Sequence, residues 1–261
     1  MRINIRKTLL GLFIAGLLGA ILLPFAIYSL GLALAPPRPV PSTADVPTLF
    51  AEAVWARING GRASTMRPMN PLTLGHFVGC LAVADITGDG QVRNVETGEC
   101  AEVMPAFQAA EYFSRVHLRD KGVLPGNIRY AFAQVATGVW ITRNWSKAEL
   151  IESLSAGADF GLGWRGAESA ARGYFGRPLR DLPLPHVAML AAFIGTVGAR
   201  DLGMASSWVD PWCDPERVAR MRRNVLSKMR RNLVIDDATL DQADRTELGL
   251  TTPPPDHQPC G

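Results

Sequence analysis

The acidic stretch from Asp85 to Glu96 is the first place in this sequence where residue types and spacing suit a chemical role. Glu96 is the twelfth residue counted from Asp85, and Gly90 is the sixth, as in a helix-flanked calcium loop. Thr87, however, replaces an acidic or amide ligand, and Arg93 puts a positive charge at position nine. The spacing therefore favours a glycine-rich turn, with a calcium-stabilised module as the weaker alternative. No metal or other cofactor is predicted, and a divalent cation lacks support.

Glu168 and Arg172 form a second candidate pair. Residues four apart lie on the same face of a helix, so this carboxylate and this guanidinium are neighbours if the segment is helical. Both are candidate residues of a ligand-binding groove, where Arg172 would bind a diphosphate or a glycan. A structural interpretation is favoured for Glu168, because a glutamate in the first turn of a helix complements the positive end of the helix dipole, and an ordinary surface arginine is favoured for Arg172.

The sequence contains four cysteines, which are Cys80, Cys100, Cys213 and Cys260. An even number of cysteines in an exported chain permits two disulfide bonds. Of the three pairings, Cys80–Cys100 with Cys213–Cys260 closes the shortest loops, and free buried thiols are the alternative. The absence of any Cys-x-x-Cys spacing argues against structural zinc and thioredoxin-type chemistry.

The elements that must position these residues begin with an uncharged N-terminal run. Residues 8–35 carry no charge and are long enough to span a membrane as a helix, bent at Pro24. Three basic residues precede the run, so the N-terminus is predicted to be cytoplasmic and the rest periplasmic. This predicts a single-pass protein of the inner (cytoplasmic) membrane. A cleaved signal peptide is the alternative, but its apolar region is normally only about 7–15 residues long.

The charge of the remaining chain is balanced. Of 27 Lys and Arg residues, three lie in the first seven positions, which leaves 24 against 24 Asp and Glu. Nucleic-acid binding requires a basic surface, so no nucleic-acid partner is predicted.

From residue 101 onward, apolar residues recur at the three- to four-residue steps of helices. Each predicted helix start has either a proline in the first turn or a side chain that can cap the helix. These residues are Pro105, Asn127, Ser146, Pro185, Asp214 and Asp236. The helix over 215–233 carries seven basic residues against one acidic residue, which suits either an anionic lipid surface or an ordinary solvated face. The exported domain is predicted to be mostly α.

One stretch carries a specific pattern. Residues 145–152 read WSKAELIE, residues 160–161 read FG, and residues 166–177 read GAESAARGYFGR. This pattern resembles the second half of the peptidoglycan glycosyltransferase domain (family 51 glycosyltransferases), which is the transglycosylase module of class A penicillin-binding proteins and monofunctional transglycosylases. The resemblance extends over about residues 145–243.

The resemblance implies a lysozyme-like α-helical domain next to a smaller membrane-proximal lobe. Active members of the family polymerise lipid II, and they use two carboxylates. One is a general base that removes a proton from the acceptor hydroxyl, and the other lies near the diphosphate, where basic side chains or a metal compensate its charge. The implied partners are a peptidoglycan glycan strand, lipid II or a cell-wall synthase.

The sequence departs from the family at both carboxylate positions. The first aligns with Ala84, followed by a retained Asp85, and the second aligns with Gln134. Alanine and glutamine cannot accept a proton near neutral pH, so the chain is predicted to be a catalytically degenerate, binding member of the family. Asp85 and Gln134 complete the set of predicted groove residues with the Glu168 and Arg172 pair.

An active polymerase with relocated carboxylates is the alternative. A shifted register would then bring Glu96, Glu99, Glu102 or Glu111 to the groove. The predicted organisation is a cytoplasmic segment 1–7, an anchor 8–35, a proline-rich linker 36–47, a transglycosylase-like domain 48–250 and a tail 251–261.

Overall fold

The computed structural model describes residues 5–58, 66–73, 99–194 and 209–255, together with residues 257 and 260. Within these ranges, the side chains of 5–12, 15, 17, 20, 99–105 and 108 are outside the description. Ala84, Asp85 and the predicted calcium-like loop therefore lie outside the described residues.

The described part of the chain is mostly helical and contains no strand. Its α-helices, numbered in chain order, are α1 (Ile5–Leu34), α2 (Thr48–Ile58), α3 (Glu99–Asp120), α4 (Ile128–Asn144), α5 (Lys147–Gly157), α6 (Ala167–Phe175), α7 (Leu184–Phe193), α8 (Pro215–Arg231) and α9 (Asp237–Arg245). This architecture is consistent with the expected lysozyme-like α domain.

The predicted helix caps of α4, α5, α8 and α9 are confirmed. Asn127 accepts a hydrogen bond from the backbone N–H of Tyr130 at 2.8 Å. Ser146 and Glu149 form a complete capping box, in which each side chain accepts from the other residue's backbone N–H. Asp214 and Asp236 cap α8 and α9 as Asn127 caps α4, by accepting a hydrogen bond from the backbone N–H three residues further on. These starts were predictable because capping depends on residues only two or three positions apart.

Two predicted helix boundaries are wrong. Helix α3 begins at Glu99 and not at Pro105. Proline is most common at the first helical position, but it is also accommodated further in at the cost of one backbone hydrogen bond. Helix α8 ends at Arg231 and not at 233, because Leu233 has a left-handed backbone with φ of 59°.

The main core forms around α7, which is apolar on all sides. Val187 and Phe193 are among its eight buried residues. Helices α2, α6, α8 and α9 pack against it, and Tyr174 of α6 contributes the largest fully buried side chain. A short helix that is apolar all round needs partners on every face, and this requirement places α7 at the centre.

Helix α1 packs along α4 through its C-terminal half. A Cβ atom built on Gly31 would lie 2.5 Å from the backbone oxygen of Phe132, so the two helices approach at backbone distance. Tyr28 and Ala35 extend this contact into the apolar clusters formed by α3 and α4. Among the described residues, no helix has the length and apolarity of a membrane span. The anchor over 8–35 stays a prediction.

Candidate functional site

Gln134, which aligns with the second family carboxylate, lies in the interface between α3 and α4. Its Nε2 donates a hydrogen bond to Oε1 of Glu111 on α3 at 2.6 Å. The other oxygen of Glu111 lies 3.5 Å from Nη2 of Arg115. The close approach of the helices depends on Gly138, because a Cβ there would lie 3.2 Å from the ring of Phe107. A carboxylate therefore lies directly beside the position where the family pattern has one.

Glu111 is engaged through both of its oxygens. Each oxygen has one such contact and retains a further acceptor position, since a carboxylate oxygen can accept two hydrogen bonds. Among the four acids that a shifted register would bring to the groove, Glu111 is the one whose side chain is described. Glu96 and the side chains of Glu99 and Glu102 lie outside the described residues.

Glu168 and Arg172 lie in a different place, a groove of about 500 Å³ that we call the linker groove. Its walls are residues 44–47 of the linker, the end of α5, the first turns of α6, and residues 178–180. Ser42 fastens the linker to α5, because its backbone N–H donates to Oγ of Ser153 at 2.8 Å. Gln134 is not among the residues lining this groove, so the predicted groove residues divide between two sites.

Glu168 organises one wall of the linker groove. Its Oε1 accepts a hydrogen bond from Nε of Arg172 at 2.9 Å, and its Oε2 accepts from the backbone N–H of Leu179 at the same distance. The helix start beside it requires glycine, because Gly166 has φ of 87° and a Cβ there would lie 3.0 Å from the oxygen of Ala156. Glu168 thus connects α6 to the turn that follows it, a contact that the sequence did not predict.

The linker groove carries charges of both signs. Arg165, Arg172 and Arg180 line it together with Asp45 and Glu168. Arginine side chains donate several hydrogen bonds in a fixed plane, and carboxylates accept them, so this lining suits a polar, hydroxyl-rich ligand or an anionic one.

Lys147 makes contacts that sequence reasoning missed. Its Nζ lies 4.9 Å from the centre of the Trp55 ring and 3.4 Å from Oε1 of Glu52. From the sequence, Lys147 was expected only to lie in the first turn of α5, after its cap Ser146. Its partners on α2 are more than ninety residues away, and no local spacing predicts a contact at that separation.

The C-terminal tail is attached to the main body near α8. The predicted disulfide between Cys213 and Cys260 is present, with a Cα–Cα distance of 5.2 Å. Cys80 and the side chain of Cys100 lie outside the described residues.

Beside this bond, Nε2 of His257 lies 2.7 Å from Oδ2 of Asp210. Asp210, Cys213 and His257 are close enough to hold a metal ion. The sulfur of Cys213 is already bonded to Cys260, however, and the other two side chains satisfy each other.

Part of the described chain is similar in sequence to known proteins. The family model Transglycosylase matches residues 119–230, which run from the end of α3 to the end of α8. Penicillin-binding protein 1A of Mycolicibacterium smegmatis (strain ATCC 700084 / mc(2)155) is 30% identical over 139 residues. That match covers 53% of this chain and 16% of the relative.

These matches support a divergent transglycosylase domain that includes residues 119–230. The match spans about one sixth of the relative's length, so it concerns this domain and not the relative as a whole.

Proposed function

We propose that this chain is a membrane-anchored, periplasmic transglycosylase-like protein of peptidoglycan assembly that binds its ligand without polymerising it. The observation that carries the proposal is the side chain at the second family carboxylate position. Gln134 is an amide there, and it donates a hydrogen bond to Glu111 at 2.6 Å. An amide does not accept a proton near neutral pH, so this position does not supply the family's second acid.

The basic residues that precede this acid in the family are also missing. Tyr130 and Ala131 replace them, and Tyr130 is buried against Leu118 and Ala133 rather than facing a ligand. General base catalysis contributes about 10²–10⁴-fold to a rate, and the cations that stabilise a leaving diphosphate contribute further. A domain that lacks these groups would keep the transglycosylase fold but lose most of the rate of glycan polymerisation.

The linker groove supports the binding role. Its volume of about 500 Å³ is within the range of ligand sites, and three arginines and two carboxylates line it. A glycan strand or lipid II offers hydroxyl and phosphate groups that suit these donors and acceptors, and the groove is the part of the domain that we assign to them. A partner synthase is a third possible ligand of the linker groove, because the same polar lining suits a peptide segment.

An active polymerase is the second candidate function, and Glu111 is the observation that favours it. This carboxylate is only 2.6 Å from the amide of Gln134, so a small movement of one side chain would bring an acid to the family position. Under this alternative, Glu111 replaces the missing carboxylate.

Incubation of the full chain with labelled lipid II tests the proposal. The protein is extracted from the membrane fraction with detergent, and its recovery there tests the anchor. We expect lipid II to bind without formation of glycan chains. Glycan chains made by the natural sequence and lost in Glu111→Gln would establish the alternative. Glu216→Gln is the matched control, because Glu216 is an exposed acid on α8, far along the chain from α3.

The binding half of the proposal has its own measurement. Arg172→Gln removes one donor from the linker groove, and we expect it to weaken lipid II or glycan binding at least threefold, as measured by fluorescence anisotropy. Arg231→Gln makes the same change at an exposed position outside the groove and should leave the affinity unchanged. Equal affinities for the two variants would remove the linker groove from the proposal.

A further inference from the structure

A second cavity, of about 370 Å³, lies between α2, α7 and α8. Its described lining consists of Arg57, Arg217, Arg220 and Asn224, together with the apolar Ala192 and Met221. None of these lining residues is acidic. We call this cavity the arginine pocket, and it shares no lining residue with the linker groove.

Helix α8 forms one wall of the arginine pocket. Arg217, Arg220 and Asn224 recur at steps of three and four residues, so they lie on one face of the helix. Lys228 continues this face by one further turn, and its Nζ lies 3.4 Å from the backbone oxygen of Arg57. This contact connects α8 to the end of α2 and adds a fourth cation next to the pocket.

Arg57 provides the opposite wall from the last turn of α2. It is half-buried, whereas Arg217 and Arg220 are exposed. Burial lowers the pKa of its guanidinium below the usual value. Within the ranges that the structure describes, no carboxylate forms an ion pair with Arg57.

Among the described residues, the positive charges of Arg217 and Arg220 are only weakly compensated by acidic side chains. Arg220 pairs with Glu216 at 3.8 Å, but both side chains are largely exposed, and an exposed pair of this kind contributes little. No ion pair of Arg217 is found among the described residues. Three guanidinium groups around one small cavity repel one another, and the half-buried Arg57 is also partly desolvated, so an anion between them would be stabilising.

We propose that the arginine pocket binds a phosphate-bearing ligand, whose charge is neutralised by Arg57, Arg217 and Arg220. Guanidinium groups form bidentate hydrogen bonds with phosphate oxygens. The amide of Asn224 adds a donor, and Met221 and Ala192 offer an apolar surface to the carbon skeleton of a phosphate ester. Three cations suit a group with two or more negative charges better than a single carboxylate. The phosphate belongs either to a soluble molecule or to a lipid headgroup.

Titration of the full chain in detergent with inorganic phosphate and with diphosphate tests the pocket. Thermal stability and calorimetry are measured against sodium chloride at matched ionic strength, because any anion screens repelling arginines. We expect phosphate and diphosphate to raise the Tm beyond the chloride effect. The variant Arg57→Gln should weaken binding at least tenfold.

Two further variants make the test decisive. Arg217→Gln combined with Arg220→Gln changes only exposed side chains, so this variant reports on the pocket even if Arg57→Gln folds poorly. Arg231→Gln is the matched control, since it removes one exposed positive charge from α8 outside the pocket. Stabilisation no larger than that from chloride, or equal binding in the pocket variants and in Arg231→Gln, would overturn the proposal.

Nanodiscs separate the two sources of phosphate. If the ligand is a headgroup, the natural sequence should have a higher Tm in phosphatidylglycerol than in phosphatidylcholine, and Arg57→Gln should lose this difference. If the ligand is soluble, added phosphate should stabilise the protein equally in both lipids. A lipid effect that is the same in Arg57→Gln as in the natural sequence, without stabilisation by free phosphate, would contradict both versions of the proposal.

Discussion

Gln134 illustrates what single residues reveal about this protein. Its identity was read directly from the sequence and predicts a lost acid. Its hydrogen bond to Glu111 was not predictable, because the two residues are 23 positions apart and meet only through the packing of α3 on α4. At the scale of residues, the sequence shows that the second family carboxylate is replaced by Gln134. The structure shows that Glu111 accepts the hydrogen bond of this amide.

His186 is the residue whose titration should be visible in the stability of the protein. Its ring stacks on Phe175 with centroids 4.2 Å apart, and its Nδ1 has no hydrogen-bond partner among the described residues. Burial, followed by the charges of Arg177 and Arg222, lowers the pKa of His186 below its usual value. A lowered histidine pKa means that the folded state favours the neutral ring.

The sign of the pH effect follows from this shift. The unfolded chain takes up the proton near pH 6.5, before the folded chain does, so the free energy of unfolding falls as the pH drops below that value. We expect His186→Phe, which keeps a flat ring on Phe175, to show a smaller loss of Tm between pH 7.5 and 5.5 than the natural sequence. An unchanged pH dependence would contradict the assignment, whatever the absolute stability of the variant.

At the scale of elements, most of the helices were predictable because their signals are local. Asn127, Ser146 and Asp214 each cap a helix through a partner three residues away. The packing of α1 on α4 was not predictable. Gly31 is one of several glycines in an apolar helix, and only its distance to Phe132 distinguishes it from the others.

The contact between α1 and α4 predicts a difference between two glycines of the same helix. In Gly31→Ala, the new Cβ would lie 2.5 Å from the oxygen of Phe132, so α1 must move away from α4. We expect a loss of about 1–3 kcal/mol in the free energy of unfolding, as for overpacked cores. Thermal unfolding in detergent measures the effect.

Gly19→Ala is the matched control for this prediction. A Cβ at Gly19 meets nothing within 4 Å, and both changes raise helix propensity by a similar amount. Equal unfolding temperatures for the two variants would show that α1 does not dock on α4 as described.

At the scale of the whole molecule, the tail joins parts of the chain that are distant in sequence. Thr251 donates its hydroxyl proton to the backbone of α6, at the oxygen of Gly173. The ring of Trp212 donates to the oxygen of Thr251 at 2.9 Å. The disulfide then secures the end of the tail to the segment before α8. The number and spacing of the cysteines predicted the disulfide bond. Nothing in the sequence predicted the hydrogen bonds that Thr251 makes with α6 and with Trp212.

Removing this disulfide should destabilise the whole domain. The bond joins residues 47 positions apart, and closing a loop of this size stabilises a protein by about 2–4 kcal/mol, mainly by restricting the unfolded chain. We expect the double variant Cys213→Ser with Cys260→Ser to lose this amount in urea denaturation. His257→Asn, which removes the pair with Asp210 and the ring contact with Trp212 but leaves the disulfide intact, should lose less. Identical denaturation midpoints for the double variant and the natural sequence would contradict the prediction.

The attachment of the linker has a mechanical consequence. A free proline-rich tether of the length of residues 36–47 would extend over about 37 Å and separate the domain from α1. Arg129 instead donates to the backbone oxygen of Leu34, His117 contacts that of Pro37, and the N–H of Ser42 is held by Ser153. These three contacts hold residues 34–42 against the domain, so α1 and the domain keep one orientation relative to each other.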